Sequence, residues 1–293
     1  ELDVGKERYP GDIGDLWEQD PARLLEYNVR DVELCVEIDR KQDVIAFWDE
    51  VRTFVGCKLE DAPTPGDTVD IYILHEAHGR FALPSKGQAD AEEYEGGAVF
   101  DPITGVKQNV TVLDLKSLYP MCMVTINASP ETKVDPETYG GDTFQAPNGT
   151  HFRREPDGII REMIDDLLAE REEKKSLRND HDPDTSAYEQ YDRQQAAVKV
   201  IMNSLYGVLG WDRFRLYDKE MGAAVTATGR DVIEHTASAA NDLGKSVIYG
   251  DSVTGDRPVV VRDPDGQIRI IPIEMLFEQT AANSESEILI TAD

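Results

Sequence analysis

Cysteine is scarce: Cys35, Cys57 and Cys122 are the only three in 293 residues. They are odd in number, far apart and form no CxxC pair, so neither a disulfide framework nor a zinc site is expected, and a reducing compartment fits. Long apolar runs are missing as well. Nothing approaches the roughly 18 residues of a membrane span, and ELDVGKERYP has neither a basic start nor an apolar core. No membrane association is expected, and a cytoplasmic setting is. Basic residues are also few, 30 Lys plus Arg against 58 Asp plus Glu, for a formal net charge of −28. At face value this argues against a polyanionic partner, because Lys and Arg drive nucleic-acid binding by releasing counterions from phosphates.

What is present qualifies that argument. Hydrophobic residues reach 40%, which excludes a disordered chain and provides for a sizeable core. The acids are spread along the chain rather than gathered in a tail, as expected of a solvated surface adapted to a salt-rich cytoplasm. The few remaining cations and their spacing then matter more than the net charge. There is no internal repeat and no low-complexity tract.

Periodicity and breakers organise the chain. Asp20 followed by Pro21 predicts an N-cap and first helical residue, with Leu24, Leu25, Val29, Val32, Cys35 and Val36 at helical spacing. DAPTPGD at 61–67 breaks the pattern. The segment EGGAVFDPITGVKQNVTVLDL predicts a hairpin with Gly105 in its turn and a buried strand delivering Asp114 at its end. Two antiparallel helices are expected next: GIIREMIDDLLAEREEKKSLR, then a run from a Ser186 cap to a stop at Gly210. A third helix, at about 219–242, leads into a strand KSVIYGD ending at Asp251. The last 42 residues alternate β-branched residues around a DPDG turn and read as a separate all-β unit.

Three elements carry candidate chemistry. Asp114, alone, reads equally as a helix cap. Paired with Asp251, it offers two strand-end carboxylates that could share divalent metals. On the second helix Lys199, Asn203 and Tyr206 share a face, and on the first Arg171 and Lys175 are one turn apart. Together these cations make an anion cradle suited to a triphosphate. The alternative for 171 and 175 is surface pairing within EREEKK, worth about 0.2–0.5 kcal/mol per pair.

The strings DLKSLYP, KVIMNSLYG and VIYGD, in this order, resemble motifs A, B and C of family B DNA polymerases. YEGG at 94–97 resembles the YxGG motif, NASPET at 127–132 the loop after motif A, and VTATGR at 225–230 the TxxGR segment. The resemblance covers about residues 10 to 251, and the acidic composition suggests a haloarchaeal member. It implies an α/β (α+β) fold. Residues 1–56 would be the C-terminal end of an RNase H-like 3′-5′ exonuclease domain. Residues 57–152 and 211–251 would form the two parts of the palm, with 153–210 the fingers helical hairpin.

The resemblance further implies template-directed addition of dNTPs to a primer 3′-hydroxyl on primer-template DNA, with two Mg²⁺ ions and a sliding clamp as further partner. Asp114, the Leu115 carbonyl and Asp251 would hold the metals. Ser117 and Leu118 would meet the triphosphate, and Tyr119 would gate against a 2′-hydroxyl. Arg171, Lys175, Lys199 and Asn203 would hold the phosphates, while Tyr206 and Gly207 would cover the nascent base pair, glycine allowing close approach of a base. Tyr27 and Asp31 resemble the YxxxD motif of the family's proofreading exonuclease, whose other acids are expected upstream of Glu1.

The sequence departs from the family after Asp251. Where the motif has a second acid, SVTGDRPVVV follows, which resembles the first block of an intein. Residues 252–293 would be the β-rich start of an intein (Hint) domain, with Ser252 as its nucleophile. The alternative reading of function is therefore self-processing at the Asp251-Ser252 bond. The chain is expected to be a fragment unable to polymerise DNA alone. HEAH at 75–78 is not HExxH, and its histidines are expected on a surface rather than on a metal.

Overall fold

The computed structural model describes residues 9, 11–87, 94–107, 110, 112–251, 258–262, 268–272 and 287–290. The chain divides into two compact units, Glu1–Tyr72 with Ala169–Ile201, and Ile73–Leu168 with Met202–Asp293.

The first unit is helical. Helix α1 spans Ile13–Gln19, α2 Pro21–Gln42 and α3 Val44–Val55. The cap expected at Asp20 is present: its side chain accepts from Arg23 N, and Pro21 opens α2. Asp43 ends that helix with φ 49°, and Gly56 ends α3 with φ 75°, the left-handed stop that favours glycine. Helix α4, Pro65–Ala77, starts in this unit and continues into the second. Leu16, Leu34, Val51, Val55, Val69 and Ile201 are buried. Each contributes roughly 1.5–3 kcal/mol by leaving water.

In the second unit, β1 (Val99–Phe100) pairs antiparallel with β6 (Gly250–Asp251), so that Val99 faces Asp251. This corrects the expected hairpin. Strand β2, Gly105–Lys107, does not return along β1, and Gly105 opens it rather than turning. The described residues 112–115 carry no strand, and Asp114 is exposed instead of ending a buried one. The reason is pairing: an extended segment becomes a strand only where a neighbour takes its backbone groups, and β1 finds β6 instead. The C-terminal strand likewise shrinks to Gly250–Asp251, although Ile103 N donates to Ile248 O at 2.9 Å and prolongs that contact.

Helix α5, Leu118–Ile126, follows, then β3 (Lys133–Val134), β4 (Thr143–Gln145) and β5 (His151–Arg153) in a sheet of order β3-β5-β4. Helices α6 (Ile159–Asn179) and α7 (Ser186–Leu209) are each continuous from one unit to the other. The N-cap of α7 falls one residue earlier than expected: Thr185 Oγ1, not Ser186, accepts from Tyr188 N.

The start of α6 is capped by residues far back in the chain. Gly158 N donates to Asn127 Oδ1 at 2.9 Å, Ile159 N to Glu131 Oε1 at 2.6 Å and Ile160 N to Ser129 Oγ at 3.0 Å. NASPET thus serves as the cap that the local sequence of α6 lacks. Below it Ile160, Met163, Ile164 and Leu167 form a buried stripe at helical spacing, with Leu168 half-buried beside them.

Helix α8, Lys219–Asp242, is capped by Asp218, which also pairs with Lys133 at 2.9 Å. Burial tends to lower the pKa of Lys133, but its bonds to Glu220 and Asp218 outweigh that and raise it. The tail strands β7 (Pro258–Arg262) and β8 (Ile268–Pro272) form the hairpin expected around DPDG, with Val260 opposite Ile270. Strand β9, Glu287–Ile290, joins β7 to β2 in one sheet of order β2-β9-β7-β8. Residues 105–107 would otherwise leave a row of open backbone groups.

Candidate active site

The second unit brings the first and second motifs together through aromatic rings. Ser117 adopts φ 53° and ψ 51°, a left-handed conformation that costs a non-glycine residue of order 1–3 kcal/mol and often marks a functional turn. Its carbonyl accepts from Met121 N at 2.9 Å, so the turn launches α5 with Leu118 and Tyr119 in the first coil. The Tyr119 ring stacks on Tyr206 of α7, with centroids 4.2 Å apart and planes 16° apart. Tyr206 is hydrogen-bonded to Tyr94. Burial comes first in raising the pKa of both the Tyr94 and the Tyr206 phenol.

Glycines make room for this cluster. A Cβ on Gly229 would lie 3.0 Å from the Tyr119 ring, and one on Gly222 would lie 2.9 Å from the Tyr94 hydroxyl. A Cβ on Gly210 would overlap the same hydroxyl. The YEGG segment is tied down beside it. Glu95 O accepts from Thr226 Oγ1 and Arg230 Nη1, each at 3.0 Å, and Arg230 also donates to Gly96 O. Tyr94, Thr226, Gly229 and Arg230 were absent from the residues predicted from sequence to form the site. Their signal was the pair of strings YEGG and VTATGR, which pattern alone could not assign to each other.

Asp114 is exposed, and Leu115, Ser117 and Leu118 are half-buried. Asp251 faces Val99 across the backbone ladder, and Ser252 lies outside the described residues. Asn203 is half-buried on α7. Gly207 is exposed, with open space where its Cβ would stand, so a flat ligand can approach that backbone.

Arg171, Lys175 and Lys199 lie in the first unit. Arg171 donates through Nε to Gln195 Oε1 at 3.3 Å, and burial foremost lowers its pKa. Surface pairing is real within EREEKK. Lys174 pairs with Glu170 at 2.9 Å and Lys175 with Glu172 at 3.7 Å, whereas no ion pair to Arg171 forms among the described residues. Tyr27 and Asp31 are half-buried and one turn apart on α2.

Among the described residues no group of three or more His, Cys, Asp or Glu gathers to hold a metal, HEAH included. Two carboxylates and a carbonyl are nonetheless a hard-oxygen donor set that suits Mg²⁺. That ion commonly takes only one or two carboxylates and completes its shell with water and substrate phosphates.

A family model described as DNA polymerase family B matches residues 66–267. The DNA polymerase 2 of Aeropyrum pernix is 33% identical over 268 residues, covering 88% of this chain and 33% of that protein. The DNA polymerase of Archaeoglobus fulgidus is 36% identical over 190 residues, covering 64% of this chain and 24% of that protein. Among solved structures, the family B DNA polymerase of Pyrobaculum calidifontis aligns with a TM-score of 0.71 at 26% identity, covering 90% of this chain and 40% of that one. The chain spans about a third of the length of the curated relatives it matches.

Proposed function

The chain belongs to family B of the DNA polymerases, and from that premise we propose that it contributes the nucleotide-handling core of template-directed DNA synthesis. The single observation that carries this reading is the stacked pair Tyr119 and Tyr206, which joins DLKSLYP to KVIMNSLYG. The substrates are primer-template DNA and dNTPs, and a sliding clamp is a further partner.

In this reading Arg171, Lys175, Lys199 and Asn203 hold the triphosphate, assisted by Ser117 and Leu118 at the turn into α5. Tyr119 lies against the sugar and rejects a 2′-hydroxyl, while Tyr206 and Gly207 cover the new base pair. The primer 3′-hydroxyl oxygen attacks the α-phosphorus, and the bond to the leaving pyrophosphate breaks. Positioning and charge neutralisation supply most of the rate. Asp114, the Leu115 carbonyl and Asp251 would hold two Mg²⁺ ions, whose chemistry when bound is to offset the charge developing on the phosphate oxygens. Tyr27 and Asp31 are assigned to a proofreading exonuclease site.

The test is titration of the 293-residue chain with Mg-dATP. Arg171→Ala and Lys199→Ala should each weaken binding about tenfold or more, the loss expected for a charge-assisted hydrogen bond. Unchanged affinity in both variants would remove the reading.

A second reading, self-processing at the Asp251-Ser252 bond, is supported by SVTGD standing where the motif has its second acid. Ser252 Oγ would attack the Asp251 carbonyl carbon, the peptide C–N bond would break, and the Ser252 amine would be freed as an ester forms. Hydroxylamine should then cleave the chain after Asp251. An intact mass after treatment counts against it.

A further inference from the structure

Two arginines of α6 reach α7 through different chemistry. Arg178 Nη1 donates to Asp192 Oδ1 at 2.7 Å, a charged pair. Its other nitrogens, Nε and Nη2, donate to Asn179 Oδ1, and its guanidinium lies 5.4 Å over the Tyr188 ring. Arg171 meets an amide instead: its Nε donates to Gln195 Oε1 at 3.3 Å. The amide is held in turn, since Gln195 Nε2 donates to the same Asp192 Oδ1 at 3.2 Å.

The order of these bonds matters. An ionised Asp192 can only accept, so it requires the NH₂ end of Gln195 and turns the carbonyl end toward Arg171. The charge of Asp192 is taken up by Arg178. Arg171 is therefore oriented by a neutral group and keeps its positive charge. With Nε engaged, its two terminal nitrogens take no hydrogen bond among the described residues and form a planar fork, the geometry that matches phosphate oxygens two at a time.

We propose that Gln195, oriented by Asp192 and Arg178, is a positioning residue that aims the Arg171 guanidinium at the triphosphate of an incoming nucleotide without neutralising it. The proposal rests on the reading of Arg171 as a triphosphate ligand. Gln195→Glu keeps the length of the side chain and substitutes a carboxylate, which would pair with Arg171 and cancel the charge. Gln195→Met keeps the volume and removes the hydrogen bonds.

The experiment measures Mg-dATP dissociation constants for the 293-residue chain and its variants, together with the ¹⁵N resonance of the Arg171 Nε–H, identified by its loss in Arg171→Lys. Gln195→Met should weaken dATP roughly threefold and expose the Nε–H to fast solvent exchange. Gln195→Glu should weaken dATP about tenfold or more. A role in packing alone predicts equal losses for the two variants. If Arg171→Ala weakens binding but Gln195→Glu binds like the unsubstituted chain, the proposal fails while the triphosphate reading stands. If the unsubstituted chain does not bind Mg-dATP, or Arg171→Ala binds equally well, both fall. Should Gln195→Glu not fold, Gln195→Met decides: a slowly exchanging Nε–H and unchanged affinity in that variant overturn the proposal.

Discussion

Tyr119 and Gly229 illustrate how single residues divide the work. The tyrosine could be read as a functional candidate from its string alone, but its ring needs the space that an absent Cβ on α8 leaves. Cys122, on the next turn of α5, is chemically quiet. Burial pushes its thiol up to about 11 from an ordinary 9.0, so it stays protonated and unreactive near neutrality. The folded state favours the neutral thiol. Its contribution to stability is therefore complete below pH 9.0 and is lost as pH climbs through about 11. Between pH 8 and pH 11 the unsubstituted chain should lose roughly 2 kcal/mol more than Cys122→Ala, because a tenfold change in proton affinity is worth about 1.36 kcal/mol. Urea unfolding at the two pH values measures this, and equal losses would refute it.

Among the elements, α6 shows most plainly what a helix cannot supply for itself. Its buried stripe is visible at 3.6-residue spacing, yet its first amides are capped from NASPET. Asn127 is the keystone: besides receiving Gly158 N it donates to Arg153 O at 2.9 Å, and its side chain is fully buried. Ser129→Ala should cost about 1 kcal/mol as a lost cap. Asn127→Ala should cost about 2–3 kcal/mol, because buried partners are left unsatisfied. Chemical denaturation gives both values, and an Asn127→Ala loss no larger than that of Ser129→Ala would mean that water replaces the amide. The strands behaved differently from the helices. Residues 112–115 have the composition of a buried strand, but no partner among the described residues takes their backbone, whereas Val99–Phe100 acquires one from Gly250–Asp251.

For the whole molecule, the formal net charge of −28 implies a self-repulsion whose strength depends on salt. Carboxylates at this density repel one another, and salt shortens the reach of that repulsion from about 10 Å at 0.1 M to about 3 Å at 1 M. The melting temperature should therefore rise as KCl is raised over that range. A flat or falling curve would show that repulsion among the carboxylates does not limit stability. The amino-acid sequence by itself determined α2, α6, α7 and α8 and the ordered motif strings, but not the short helices α1 and α5. Helical hydrogen bonds close within four residues, so their pattern is local and can be read directly. Only the tertiary structure decided which strand pairs with which, that NASPET caps α6, that YEGG is held by Thr226 and Arg230, and that Gln195 rather than a carboxylate faces Arg171. Each of those interactions joins residues distant in the chain or depends on which side-chain atom meets which, and neither leaves a periodic trace in the sequence.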